Sequence, residues 1–118
     1  MSDHTPVELN LSVTFRHTES TAALKSYAEE KLTHCLEKYL HGPADVHMIL
    51  SVEKRDHTAE VTLHSKSYDI VATGTTTDLY AAIDKVIDNL ATQLRKKKEK
   101  IQSHKLAAVN LEDSLGLE

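Results

Sequence analysis

Hydrophobic residues recur at every second position in four stretches of this chain and at helical spacing in two others. In residues 7–15, VELNLSVTF, the apolar Val7, Leu9, Leu11, Val13 and Phe15 alternate with Glu8, Asn10, Ser12 and Thr14. Such alternation predicts a half-buried strand, because successive side chains of a strand point to opposite faces. From about Thr21 to Leu40 the spacing becomes helical, with Leu24, Tyr27, Ala28, Leu32, Leu36, Tyr39 and Leu40 on one stripe. Ser20 or Thr21 can cap its start, and Gly42-Pro43 punctuate its end. Alternation then returns in Val46, Met48, Leu50 and Val52, in Ala59, Val61 and Leu63, and in Tyr68, Ile70 and Ala72. The breaks around Arg55-Asp56-His57 and Ser65-Lys66-Ser67 are short and polar, as hairpin connections are. A final helix starts at a Thr77 or Asp78 cap and carries the stripe Leu79, Ala82, Ile83, Val86, Ile87, Leu90 and Leu94.

The predicted order is β-α-β-β-β-α. Each strand has one apolar face and each helix one apolar stripe, so the two helices can cover one side of the sheet. The expected fold is α+β, a two-layer sandwich with a four-stranded sheet, two helices on one face and a polar face left open. The outward positions would be Glu8, Asn10, Ser12, Thr14, His47, Ser51, Glu60, Thr62 and Asp69.

The last helix outlasts its own stripe. Lys97 and Lys98 stand where the next apolar residues belong, yet helix-forming residues continue to about Ser103. From Leu79 to there is roughly 37 Å at helical rise, against about 30 Å for a nine-residue strand, so the last turns should overhang the sheet. A domain over residues 1–105 and a flexible tail over 106–118 follow.

Composition adds little until charge is resolved along the chain. The 118 residues suit one domain, and with aromatics at 4% the core must be aliphatic. Net charge is −4, which alone argues against a polyanion partner. Yet residues 95–105 hold six basic residues and one acid, a local +5, while the other eight basic and 17 acidic residues leave the remainder at −9. Local field governs polyanion binding more than net charge does. Cations at a helix C-terminus also suit its dipole, but that accounts for one or two lysines better than for Arg95, Lys96, Lys97, Lys98 and Lys100 together.

Candidate chemistry is sparse. Eight histidines show no metal-ligand spacing: His47 and His64 belong to the open sheet face, and His57 sits at a turn. Cys35 is the single cysteine, half-buried on the first helix, so neither an internal disulfide nor a Cys-rich metal site is available; reducing, cytoplasmic surroundings fit. Three glycines make no phosphate loop. No enzyme activity, cofactor, metal, membrane or DNA partner is expected. The open face lacks the aromatic platform of an RRM and carries acids, so an RNA surface falls to the helices, where Lys25, Lys31 and Lys38 are also available. Double-stranded-RNA-binding domains use helices in a comparable way. The alternative is a protein-interaction module whose basic helix meets an acidic partner.

Particular residues carry a resemblance. Asp78-Leu-Tyr-Ala-Ala-Ile-Asp84, followed by Asn89-Leu-Ala-Thr-Gln-Leu-Arg-Lys96, resembles the last-helix signature of the ribosome hibernation-promoting factor / ribosome-associated inhibitor family, short form. Val52-Glu-Lys-Arg-Asp-His-Thr58 with Thr62-Leu-His64 is similar to its central hairpin, and Thr21-Ala-Ala-Leu-Lys25 with Glu30-Lys-Leu32 to its first helix. The resemblance spans about residues 7–105. It implies binding to the small ribosomal subunit and its rRNA, in the channel for mRNA and tRNAs, inhibiting translation and preserving idle ribosomes, dimerised in some members, under stress or in stationary phase. It also implies a protein that is monomeric off the ribosome. Carried over residue by residue, it picks out Lys25 and Lys31, then Lys96, Lys98 and Lys100; Arg95 and Lys97 are added on charge alone. Thr92 departs from the family's Arg. The first helix holds an extra residue near His34-Cys35-Leu36, which predicts a bulge there.

Overall fold

The computed structural model describes residues 8–109, and from 98 onward the backbone only. The elements are β1 (Leu9–Arg16), α1 (Ala22–Tyr39), β2 (Ala44–Glu53), β3 (Asp56–Ser65), β4 (Asp69–Thr76) and α2 (Leu79–Val109). This is the order expected from the alternation of apolar periods.

The strands form one sheet in the order β1-β2-β3-β4. β1 pairs parallel with β2, and the α1 crossover supplies the long connection that parallel pairing requires. β2-β3 and β3-β4 are antiparallel hairpins. The register aligns the apolar residues in rows on one face: Leu11, Val46, Leu63 and Ile70, then Val13, Met48, Val61 and Ala72. Both helices pack on that face. Leu32, Leu36, Met48, Leu50, Leu63, Ile83, Leu90 and Leu94 are all but fully removed from solvent. Each large aliphatic side chain buried this way favours the fold by about 1.5–3 kcal/mol. The core is aliphatic, as the composition required.

Helix ends follow their caps. Thr21 Oγ1 accepts a hydrogen bond from the Leu24 N–H at 3.1 Å, which selects Thr21 over Ser20. Asp78 Oδ1 accepts from the Tyr80 N–H at 3.1 Å and selects Asp78 over Thr77. α2 also covers the free edge of β4. Lys85 Nζ, Asn89 Nδ2 and Gln93 Nε2 donate to the Thr75, Thr73 and Val71 carbonyls at 3.3, 2.7 and 3.0 Å. Four helical residues rise about 6 Å and two strand residues about 6.8 Å, so every fourth side chain of α2 meets every second carbonyl of β4.

Three expectations are corrected. The β2-β3 turn is Lys54-Arg55, and His57 lies not at a turn but in β3, on the inner face opposite Val52 and Thr76, because tight pairing of Glu53 with Asp56 carries the alternation on. Its Nδ1 is buried without a hydrogen-bond partner among the described residues. α1 is α-helical throughout, without a bulge, since Leu32, Cys35 and Leu36 all reach the core at ordinary spacing. α2 continues past the expected end at Ser103 to Val109; Leu106, Ala107 and Ala108 are good helix formers. Residues 110–118 of the expected tail lie outside the described residues.

Candidate nucleic-acid interface

α1 and α2 run side by side in the same direction, both starting at the sheet end where β1 and β4 finish. The seam between them is polar. The Tyr27 hydroxyl donates to Asp84 Oδ1 at 2.7 Å, and Lys31 Nζ lies 3.7 Å from the same oxygen. Lys31 Nζ is also 5.3 Å from the centroid of the Tyr27 ring. Tyr27 and Tyr80 meet edge to face, centroids 5.0 Å apart at 73°. The Asp84 carboxylate accepting its proton, aided by desolvation, raises the Tyr27 hydroxyl above its ordinary pKa. The seam therefore holds the two helices in register.

That register decides which cations come together. Tyr27 and Lys31 both reach Asp84, offsets of 57 and 53 positions, so Lys38 lies level with about residues 91–95 of α2. Lys38, in the last turn of α1, is exposed. Charge counting noticed it without assigning it a role; only the helix offset reveals its position. Lys25 and Lys31 are both exposed, but six helical residues turn them about 120° apart around α1. Lys31 faces α2 and shares its charge with Asp84.

On α2, Leu94 is fully buried, and Arg95, Lys96 and Lys97 directly after it are all exposed. Lys97 continues the stripe of Leu90 and Leu94, so its exposure means that the core stops beneath it. The three point in directions about 100° apart and together span the arc of α2 away from Leu94. The overhang expected from the sequence is present. Lys98 and Lys100 are in α2, but their side chains lie outside the described residues.

The opposite surface is unlike this one. On the open sheet face Asn10 Nδ2 donates to Asp45 Oδ1 at 3.1 Å, His47 Nε2 bonds Thr14 Oγ1 at 2.7 Å, and His64 Nδ1 lies 2.9 Å from Asp69 Oδ1. The Asp69 carboxylate raises the pKa of His64. Among the described residues the face carries no Phe, Tyr or Trp ring, although Val71 is 58% exposed there and Ile49 also faces outward, two apolar residues that the expected polar face did not include. Among the described residues no cluster of three or more potential ligands could hold a metal. Cys35 is buried, and desolvation pushes its thiol up, away from a reactive thiolate. Among the described residues no helix is long and apolar enough to cross a membrane.

Comparison with known proteins bears on this arrangement. Residues 11–102 match the family described as sigma 54 modulation protein / S30EA ribosomal protein. The chain is 40% identical over 96 residues to the ribosome hibernation promoting factor of Escherichia coli K12, covering 81% of this chain and all of that protein. It is 37% identical over 95 residues to the same factor of Pseudomonas putida KT2440, covering 80% of this chain and 92% of that one. Among solved structures, the N-terminal domain of Thermus thermophilus Protein Y superposes with a TM-score of 0.67 at 28% identity, over 76% of this chain and 98% of that domain. A ribosomal subunit interface protein from Coxiella burnetii shares the fold at TM-score 0.66 and 20% identity, over 79% of this chain and 99% of that one.

Proposed function

Because this chain belongs to the sigma 54 modulation protein / S30EA ribosomal protein family, we propose that it silences idle ribosomes by lying in the mRNA and tRNA channel of the small subunit. The family's role, ribosome-associated regulation of translation, is not an enzymatic one. The observation that carries the reading for this chain is the exposure of the consecutive Arg95, Lys96 and Lys97 on α2 immediately beyond the last core residue. A cationic rod projecting from an acidic body can enter a cleft walled by phosphates while the body's own charge opposes any other approach. Lys98 and Lys100 prolong the rod, Lys38 adds a cation at the same end of the helix pair, and Lys25 and Lys31 extend the contact along α1. Lys31 is positioned by Asp84 and Tyr27 rather than left to sweep through solvent. The protein acts in the cytoplasm, where ribosomes are.

The test is co-sedimentation with purified small subunits across a salt series. Neutralising about five phosphates gives a log–log slope near −4 for duplex RNA and a shallower one for single strands. Replacing Lys96, Lys98 and Lys100 together by Glu is expected to abolish binding while leaving the fold intact. Undiminished binding by that variant would refute the assignment. Binding that survives RNase treatment would favour an acidic protein partner instead.

A further inference from the structure

The two edges of the sheet are treated differently. On β4 the outward carbonyls of Val71, Thr73 and Thr75 are bonded by side chains of α2. On β1 the Glu8 carbonyl accepts from the Ala44 N–H at 3.2 Å, so even-numbered residues turn their backbone groups toward β2. The N–H and C=O groups of Leu9, Leu11, Val13 and Phe15 therefore face outward, and no described residue bonds them. The side chains of these four residues lie on the inner face but are only half-buried, whereas Ala44, Val46, Met48 and Leu50 beside them on β2 are buried. No charge, proline or bulge interrupts residues 9–15, so β1 lacks the devices that keep exposed edges from pairing.

We propose that β1 is a self-association edge, on which a second copy of this chain adds its own β1 antiparallel across a two-fold axis at Ser12. The commitment to a second copy rests on self-complementarity. With Ser12 facing Ser12, Leu11 meets Val13 of the second copy and Leu9 meets Phe15, closing the half-open apolar row. On the other face Glu8 meets Arg16, twice by symmetry. Both Glu8 and Arg16 are exposed. A slip of two residues removes both charge pairs, and a slip of one would set outward backbone groups against inward ones. The sheets join as β4-β3-β2-β1-β1-β2-β3-β4, with the two α2 helices at the far edges and their basic ends pointing in opposite directions. The surface is distinct from the proposed ribosome contact and replaces the monomer expected from the sequence.

The test uses the full chain in sedimentation equilibrium. The wild type is expected to show a reversible, concentration-dependent dimer. Arg16→Glu or Glu8→Arg alone sets like charges opposite each other at both ends and is expected to weaken the dimer roughly tenfold or more. Mixing the two variants restores association, because every end then holds opposite charges. Both positions are exposed, and unchanged far-UV circular dichroism verifies that the variants are folded. A wild type that stays monomeric to its solubility limit overturns the proposal, as does a mixture no tighter than its components. Ribosome co-sedimentation of the same variants keeps this result separate from the ribosome reading: association can fail while ribosome binding persists, and the reverse.

Discussion

Gly74 is where the helix layer comes closest to the sheet, and replacing it with alanine measures how rigidly α2 is seated. The residue lies on the inner face of β4, opposite Ala59. A Cβ placed there would stand 2.8 Å from the Val86 nitrogen, 3.0 Å from the Lys85 Cβ and 3.1 Å from the Ala82 oxygen. Two of the three are backbone atoms of α2, so no rotamer change relieves the clash. The helix must lift by several tenths of an ångström, carrying Ala82, Ile83, Val86, Leu90 and Leu94, all fully buried. Overpacking of this kind costs about 1–3 kcal/mol, with a rigid backbone neighbour placing it near the upper end. Alanine returns about 0.4–1 kcal/mol by restricting the unfolded chain. The net expectation for Gly74→Ala is a loss of about 2 kcal/mol, a fall in Tm of roughly 10 °C for a domain of this size. Urea unfolding followed by circular dichroism should show a lower midpoint with an unchanged slope. Were the space open, alanine would stabilise, so the sign alone decides. A midpoint equal to or above that of the wild type refutes the close approach.

Two further outcomes follow from local conformation and charge. Lys54 holds φ at 56°, a left-handed conformation that costs a side-chain-bearing residue about 1–2 kcal/mol, so Lys54→Gly should stabilise the hairpin by about 0.5–1 kcal/mol net of the added unfolded-state freedom; an unchanged or lowered Tm contradicts this. The Asp69 carboxylate raises the pKa of His64, so the pair's contribution is complete below the unfolded histidine value and fades as pH rises through the folded one; NMR titration of Asp69→Asn should return His64 toward its ordinary value, and an unmoved titration contradicts the pairing.

What the chain determines by itself is what short-range periodicity controls. Val46, Met48 and Leu50 share a face because strand side chains alternate, whatever lies around them, and Leu90 and Leu94 share a stripe because a helix turns about 100° per residue. Caps are equally local, which is why the sequence narrowed each to two neighbouring residues, Ser20 or Thr21 and Thr77 or Asp78, and so is the basic stretch that begins where the apolar stripe ends. Membership of the family was legible as well, because a fixed-offset signature such as Tyr80, Asp84 and the cations after Leu94 lies within one helix. What only the tertiary structure decides is what depends on which elements become neighbours. Nothing in residues 9–16 says that β1 pairs with β2 alone and leaves an open edge, or that α2 shields β4 through Lys85, Asn89 and Gln93. His57, expected at a turn, joined β3 because a two-residue turn, not a longer loop, precedes it. Lys31 lost its independence, and Lys38 gained a place at the basic end of the helix pair, because the offset of two helices is set by Tyr27 and Lys31 meeting Asp84 across 57 and 53 residues of sequence. Pairing, offset and edge exposure are non-local contacts, and a pattern read within a dozen residues does not contain them.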